Sequence, residues 1–183
     1  MSGPLPDGDE APANGLLSKT EIQGHESRTF HAYVHIPFCK DICGYCDFNT
    51  YTATQLGTLK QSDYARSLIS EIEFSAEVLK LSGVAPRKFT TVFFGGGTPS
   101  LLPASDLIEI LDALSNQFGF IEGAEITTEA NPDTVTVEKF TELRQAGFNR
   151  VSIGMQSGVQ SVLNTLERTH NPDNVAKAFE IVK

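Results

Sequence analysis

The chain has 183 residues, 40% of them hydrophobic, which suffices for one core of ordinary domain size. Its net charge of −9 argues against a nucleic-acid-binding module, whose affinity for phosphate backbones needs clustered Lys and Arg, and no basic patch or tail is present. No apolar run approaches the ~18 residues of a membrane helix. The first twelve residues, MSGPLPDGDEAP, carry acids where a leader peptide carries Lys or Arg, so the expected setting is a cytoplasmic one without a transmembrane segment.

Residues 1–29 are rich in Gly, Pro, Ser and acids and lack periodic apolar positions. They are expected to form a disordered or loosely attached tail, with order beginning near Phe30 and the main domain running over 30–183. From Phe30 onward a short apolar run, a turn and a helix-length amphipathic segment repeat. The first run is Ala32 to Ile36, closed by Pro37, and its helix spans about Ser62 to Leu81, ended by Gly83 and Pro86. The second, Phe89 to Phe94, meets Gly95-Gly96-Gly97-Thr98-Pro99, after which Ser105 is placed to cap a helix carrying Leu107, Ile108, Leu111, Leu114 and Phe118.

The third run, Glu125 to Glu129, precedes Asn131-Pro132-Asp133 and a helix from about Thr136 to Ala146 with Gly147 as its stop. The fourth, Arg150 to Gly154, leads to a short helix near Val159 to Leu166 and a last one from about Asp173. Four βα units in succession predict an α/β protein with a parallel sheet and right-handed crossovers, either open or part of a barrel. The length is too small for a closed eight-unit barrel, and an ending on the apolar helix Phe179-Glu180-Ile181-Val182-Lys183 suggests a fragment.

The unusual residues all follow predicted strands, where βα folds place their ligands. Every cysteine lies in His35-Ile36-Pro37-Phe38-Cys39-Lys40-Asp41-Ile42-Cys43-Gly44-Tyr45-Cys46-Asp47-Phe48-Asn49. The odd count and the C-x3-C-x2-C spacing exclude a disulfide framework and point to metal. Two chemistries fit: an iron–sulfur cubane held through three irons with the fourth left open, or zinc completed by one of His25, His31, His35 and His170. The glycine run lacks the Lys of a phosphate-binding loop and the G-x-G-x-x-G of a dinucleotide fold; it offers close backbone approach instead. Glu129 is a carboxylate at a strand end, suited to the vicinal hydroxyls of a ribose or simply exposed there. Gln156 offers donor and acceptor, and Arg168 suits a ligand carboxylate or a solvated helix end. His170 is expected to be a capping or surface residue.

The stretches YVHIPFCKDICGYCDF, FFGGGTPS, TTEANPDT and RVSIGMQSGVQSVLNTLERTH occur in one order over Ala32 to Lys183. In this the chain resembles the radical S-adenosylmethionine (SAM) superfamily, within it the branch of oxygen-independent coproporphyrinogen III dehydrogenase and the HemW-type heme chaperone. The resemblance implies a partial (β/α) barrel with four of six βα units present. It implies Cys39, Cys43 and Cys46 as ligands of a [4Fe-4S] cluster whose open iron is chelated by S-adenosylmethionine. Tyr33 and the backbone of Tyr45 would lie against that cofactor, Gly96, Gly97 and Thr98 against its methionine part, Glu129 on its ribose, with Gln156 and Arg168 completing the set. The dehydrogenases resemble a pattern with a further cysteine two residues after the third ligand, where this chain has Phe48. That difference favours the chaperone reading: heme as cargo, respiratory apoproteins as recipients and an electron donor for the cluster. The alternatives are the dehydrogenase and another radical enzyme.

Overall fold

The computed structural model describes residues 8, 10, 12–52 and 60–183; of the expected tail, residues 1–7, 9 and 11 lie outside that set. The described part of the tail carries a short 3-10 turn, His25–Ser27. It meets the body through the Leu17 N–H, which donates to Ser82 Oγ at 2.9 Å. Arg87 donates to the Arg28 carbonyl and stacks over the Phe30 ring, 5.1 Å from its centroid.

Four strands, β1 (His31–Ile36), β2 (Phe89–Gly96), β3 (Phe120–Ala130) and β4 (Arg150–Ile153), form one parallel sheet in the order β1-β2-β3-β4. Between and after them run α1 (Gln61–Leu81), α2 (Ala104–Gln117), α3 (Val137–Ala146), α4 (Gln160–Thr165) and α5 (Asp173–Val182). The sheet has two unlike faces because side chains alternate along each strand. One face sets Val34, Ile36, Val92, Phe94 and Ile126 against Leu107, Ile110, Leu111, Phe140 and Leu143 of the helices, and this is the core. On the other, the register rows Tyr33–Phe93–Thr127–Arg150 and Glu129–Ser152 are mostly polar. A parallel sheet with one helix-covered face and one polar face is what a partial barrel presents, its interior being the polar side.

Two boundaries differ from the sequence expectation. Helix α2 starts at Ala104 behind Pro103, so Ser105 is inside the first turn and its Oγ bonds Asp106 Oδ1 at 3.2 Å instead of capping. Proline already holds the dihedral a helix start needs, with φ −54 at Pro103. Strand β3 begins five residues earlier than Glu125, because Phe120 pairs with Phe89, the two rings lying tilted with centroids 6.5 Å apart; the register then shifts before Thr91 pairs with Glu125. At α3 the expectation and the structure agree: Thr136 Oγ1 accepts from the Lys139 N–H and Gly147 ends the helix.

Candidate functional site

The C-terminal ends of β2, β3 and β4 and the loop that follows β1 line one cavity of about 470 Å³. Its floor is the end of β2. Gly96 has φ +111, and a Cβ there would fall 2.6 Å from the His35 ring; a Cβ on Gly97 would fall 2.5 Å from the Phe38 carbonyl oxygen and 3.0 Å from Cys39 Sγ. Only glycine lets the two strands' exits lie this close. The contact is backbone-bonded: the Gly97 N–H donates to Ile36 O and the Thr98 N–H to Phe38 O, both at 2.8 Å.

The cysteine loop rises from that floor. It is closed at its base, where the Cys39 N–H donates to Tyr51 O and the Tyr51 N–H to Pro37 O. Its crest is fastened from the far end of the chain. The Gly44 N–H donates to Leu166 O at 3.3 Å, Thr169 Oγ1 to Asp41 Oδ2 at 2.9 Å, and Arg168 Nη1 to Cys43 Sγ at 3.4 Å. All three thiols are free and part-buried. Burial pushes the Cys39 thiol above its usual range, so an incoming metal must displace its proton.

Opposite the thiols, Glu129 is half-buried and accepts from the Gly96 N–H at 3.2 Å. Burial raises its pKa, and the Gly96 N–H works against that rise. Arg168 Nη2 donates to Gly154 O at 2.8 Å, into space a side chain at position 154 would fill. Gln156 and Glu167, both lining the cavity, have φ +58 and +54. Left-handed backbone at non-glycine residues stores strain, and both sit where a ligand would be held.

Cys39, Cys43, Cys46, Tyr45, Gly96, Gly97, Thr98, Glu129, Gln156 and Arg168 thus all line one cavity. Tyr33 does not line it: the residue is 61% exposed on the sheet's polar face, its hydroxyl 3.0 Å from His35 Nδ1 and its ring stacked beside Phe93. Three of the four histidines offered to zinc are engaged elsewhere. His31 bonds Thr91 and Thr29, His35 bonds Tyr33 and Asn49 O, and His25 bonds Ile22 O. His170 is not at the surface or in a cap as expected. It is 2% exposed, and neither ring nitrogen has a hydrogen-bond partner. The cause is Asp133, whose Oδ1 accepts from the Asn171 N–H and Asn174 Nδ2, drawing the turn before α5 inward. Asp41, Asp133, Glu167 and Thr169 also line the cavity and went unread; their signal is contact across the sequence, which no local motif carries.

The family model described as "Radical SAM superfamily" matches residues 33–183. The chain is 45% identical over 149 residues to the heme chaperone HemW of Mycobacterium tuberculosis, covering 81% of this chain and 37% of that protein. To the heme chaperone HemW of Escherichia coli it is 38% identical over 149 residues, covering 81% and 38%. The chain therefore spans less than half the length of these relatives. Among solved structures, coproporphyrinogen III oxidase (HemN) from Escherichia coli, described as a radical SAM enzyme, superposes with a TM-score of 0.70 at 28% identity over 85% of this chain and 34% of that one. A parallel βα sheet with three thiols, a glycine floor and a strand-end carboxylate around one cavity is matched by sequence along most of its length, and the chain belongs to the radical SAM superfamily.

Proposed function

We propose that residues 30–183 are the N-terminal, cofactor-holding part of a heme chaperone, with 1–29 as an appendage. The observation that carries this reading is the convergence of Cys39, Cys43 and Cys46 with Gly96, Gly97, Glu129 and Arg168 on a single cavity. The donor set fits a [4Fe-4S] cluster and S-adenosylmethionine. Three thiols share a wall that no histidine lines among the described residues, and Arg168 carries a buried Nε without a partner. Bound there, the pair would supply the one-electron chemistry of the superfamily.

The chain's own residues have separable tasks. The cysteines lose their protons to hold iron. Gly96 and Gly97 bring backbone amides and carbonyls within reach of a ligand. Glu129 accepts from ribose hydroxyls, Gln156 offers both hydrogen-bonding senses, and Arg168 faces a carboxylate. Tyr45 lies on the same wall, and Tyr33 would reach the cofactor only from the polar sheet face.

Heme as cargo, respiratory apoproteins as recipients, an electron donor and a cytoplasmic site follow from the same reading. No described helix is long and apolar enough to cross a membrane. Phe48 separates this reading from the dehydrogenase. It is 68% exposed, lines the cavity mouth and carries no thiol. The likeness to the coproporphyrinogen III oxidase structure keeps oxidative decarboxylation as the second reading. To decide, the full-length protein is reconstituted anaerobically with iron and sulfide, then given heme or coproporphyrinogen III with a reductant. A heme-induced Soret shift without porphyrinogen turnover supports the chaperone; turnover defeats it, and one zinc per chain without sulfide defeats both.

A further inference from the structure

Three helices of this fold end in the same pair of bonds. After α1 the Gly83 N–H donates to Lys80 O at 3.1 Å and the Val84 N–H to Leu79 O at 3.0 Å; after α3 the Gly147 N–H donates to Arg144 O and the Phe148 N–H to Leu143 O. Helix α4 closes likewise, with the Glu167 N–H on Asn164 O at 3.2 Å and the Arg168 N–H on Leu163 O at 2.9 Å. The residue making the first bond of each pair takes a left-handed backbone, which glycine adopts without a Cβ penalty. Gly83 and Gly147 do so at φ +82 and +113, whereas the third position is Glu167 at φ +54. Of the three, Glu167 is the one that lines the cavity.

Its side chain has a defined place. A Cβ on Gly44 would fall 2.6 Å from Glu167 Oε2 and 3.2 Å from Glu167 Cδ, so the carboxylate lies over the α-carbon of the residue after Cys43. The main chains meet at the same point, where the Gly44 N–H donates to Leu166 O. Next along the chain, Arg168 Nη1 donates to Cys43 Sγ at 3.4 Å. A carboxylate and a guanidinium from consecutive residues thus rest on consecutive residues of the thiol loop. Glu167 is exposed, and no hydrogen bond or ion pair among the described residues engages its carboxylate, which leaves an acceptor open beside the thiols.

We propose that Glu167 is a specificity-determining residue for S-adenosylmethionine: its carboxylate accepts from the amino group of the methionine end while Arg168 takes the carboxylate. This rests on the cofactor reading above. An amino-acid end presents a donor beside an acceptor, and Arg168 has no lone pair to offer the donor. Glu129, the cavity's other strand-end acceptor, is engaged by the Gly96 N–H. Glu167 supplies the missing half, and Gly44 leaves the space in which its carboxylate lies. The left-handed backbone at a residue with a Cβ is then strain held at a binding site, where the bonds of Leu166 and Thr169 to the thiol loop keep it in place.

The test compares full-length, anaerobically reconstituted wild type with Glu167→Gly, the residue that the other two helix ends carry. Equilibrium dialysis uses three probes: S-adenosylmethionine, S-adenosylhomocysteine, which keeps the amino group but lacks the sulfonium charge, and S-adenosylmethionine without its amino group. Glu167→Gly is expected to weaken the first two on the order of tenfold and to leave the third unchanged. Iron per chain should match wild type, and the iron-free variant should melt no earlier, since glycine relieves the backbone. Unchanged S-adenosylmethionine binding, an equal loss for all three probes, or a loss for S-adenosylmethionine alone overturns the proposal. An earlier melt or lower iron content also overturns it, because the carboxylate would then serve the thiol loop and not the ligand. Wild type that binds none of the probes refutes the cofactor reading itself, an outcome distinct from failure of the Glu167 step.

Discussion

The two walls of the cavity are built by different means. The glycine floor is made by the sheet: β1 and β2 pair residue for residue from His31–Thr91 to Ile36–Gly96, and the next amides, Gly97 and Thr98, continue the bonding. The thiol-bearing crest is made by a loop without secondary structure. It is fastened to Leu166–Thr169 by one backbone bond and two side-chain bonds over a sequence separation of up to 128 residues. The first wall shares the cooperativity of the core. The second rests on a few local contacts, so it can open while the sheet stays folded. This division would suit the proposed cluster site, whose ligands must be reached by iron but whose floor must not move.

Predictions that test how far the two walls are separate follow in order of size. The largest concerns the ligands. Cys43→Ala in full-length protein should reduce iron from about four per chain to none after reconstitution, with little change in the melting of the iron-free form, since the thiol is part-buried and outside the core. Gly97→Ala should affect both walls. Its Cβ would meet the Phe38 carbonyl oxygen at 2.5 Å, against backbone that has nothing flexible to yield. A loss of about 1–3 kcal/mol in urea unfolding is expected, as for overpacked sites, together with reduced iron loading. An unshifted midpoint would mean the floor is not part of the cooperative unit.

Next in size is Lys139→Met. Lys139 Nζ donates to Ser100 O at 2.7 Å and Leu102 O at 3.0 Å, joining α3 to the turn after the glycine floor, and burial lowers its pKa. Methionine fills the same space but leaves two carbonyls unpaired, at a cost of about 1–2 kcal/mol. Iron loading should stay near wild type, because the crest is fastened elsewhere.

How much of this was readable in sequence divides along the same line. The four βα units were legible because parallel strands covered by helices read as short apolar runs, and Gly83, Gly147 and Thr136 punctuate them locally. The glycine floor and Glu129 were legible as strand-end features. The early start of β3 was not, because Glu122 and Gly123 interrupt the apolar pattern where Phe120 pairs with Phe89. Nor were the burial of His170, the strained Glu167 or the link from Thr169 to Asp41. Each depends on where a distant turn lands, and a polar residue before Asn171-Pro172 reads as surface until Asp133 is known to draw that turn in.

The link from Thr169 to Asp41 gives the smallest expected effect and the sharpest test of the comparison. The pair is exposed and charge-assisted at 2.9 Å. Thr169→Val keeps the β-branched shape and removes only the hydroxyl. Exposed bonds of this kind contribute about 1 kcal/mol or less, and the fasteners at Gly44 and Cys43 remain. Global melting should therefore hold to within about 0.5 kcal/mol, while iodoacetamide alkylation of the iron-free cysteine loop should quicken severalfold as local opening becomes easier. If alkylation were unchanged, the Thr169 contact would not hold the crest. If the whole protein instead melted earlier by as much as Gly97→Ala, crest and floor would be one cooperative structure, and the distinction between a sheet-built wall and a loop-built wall would fall.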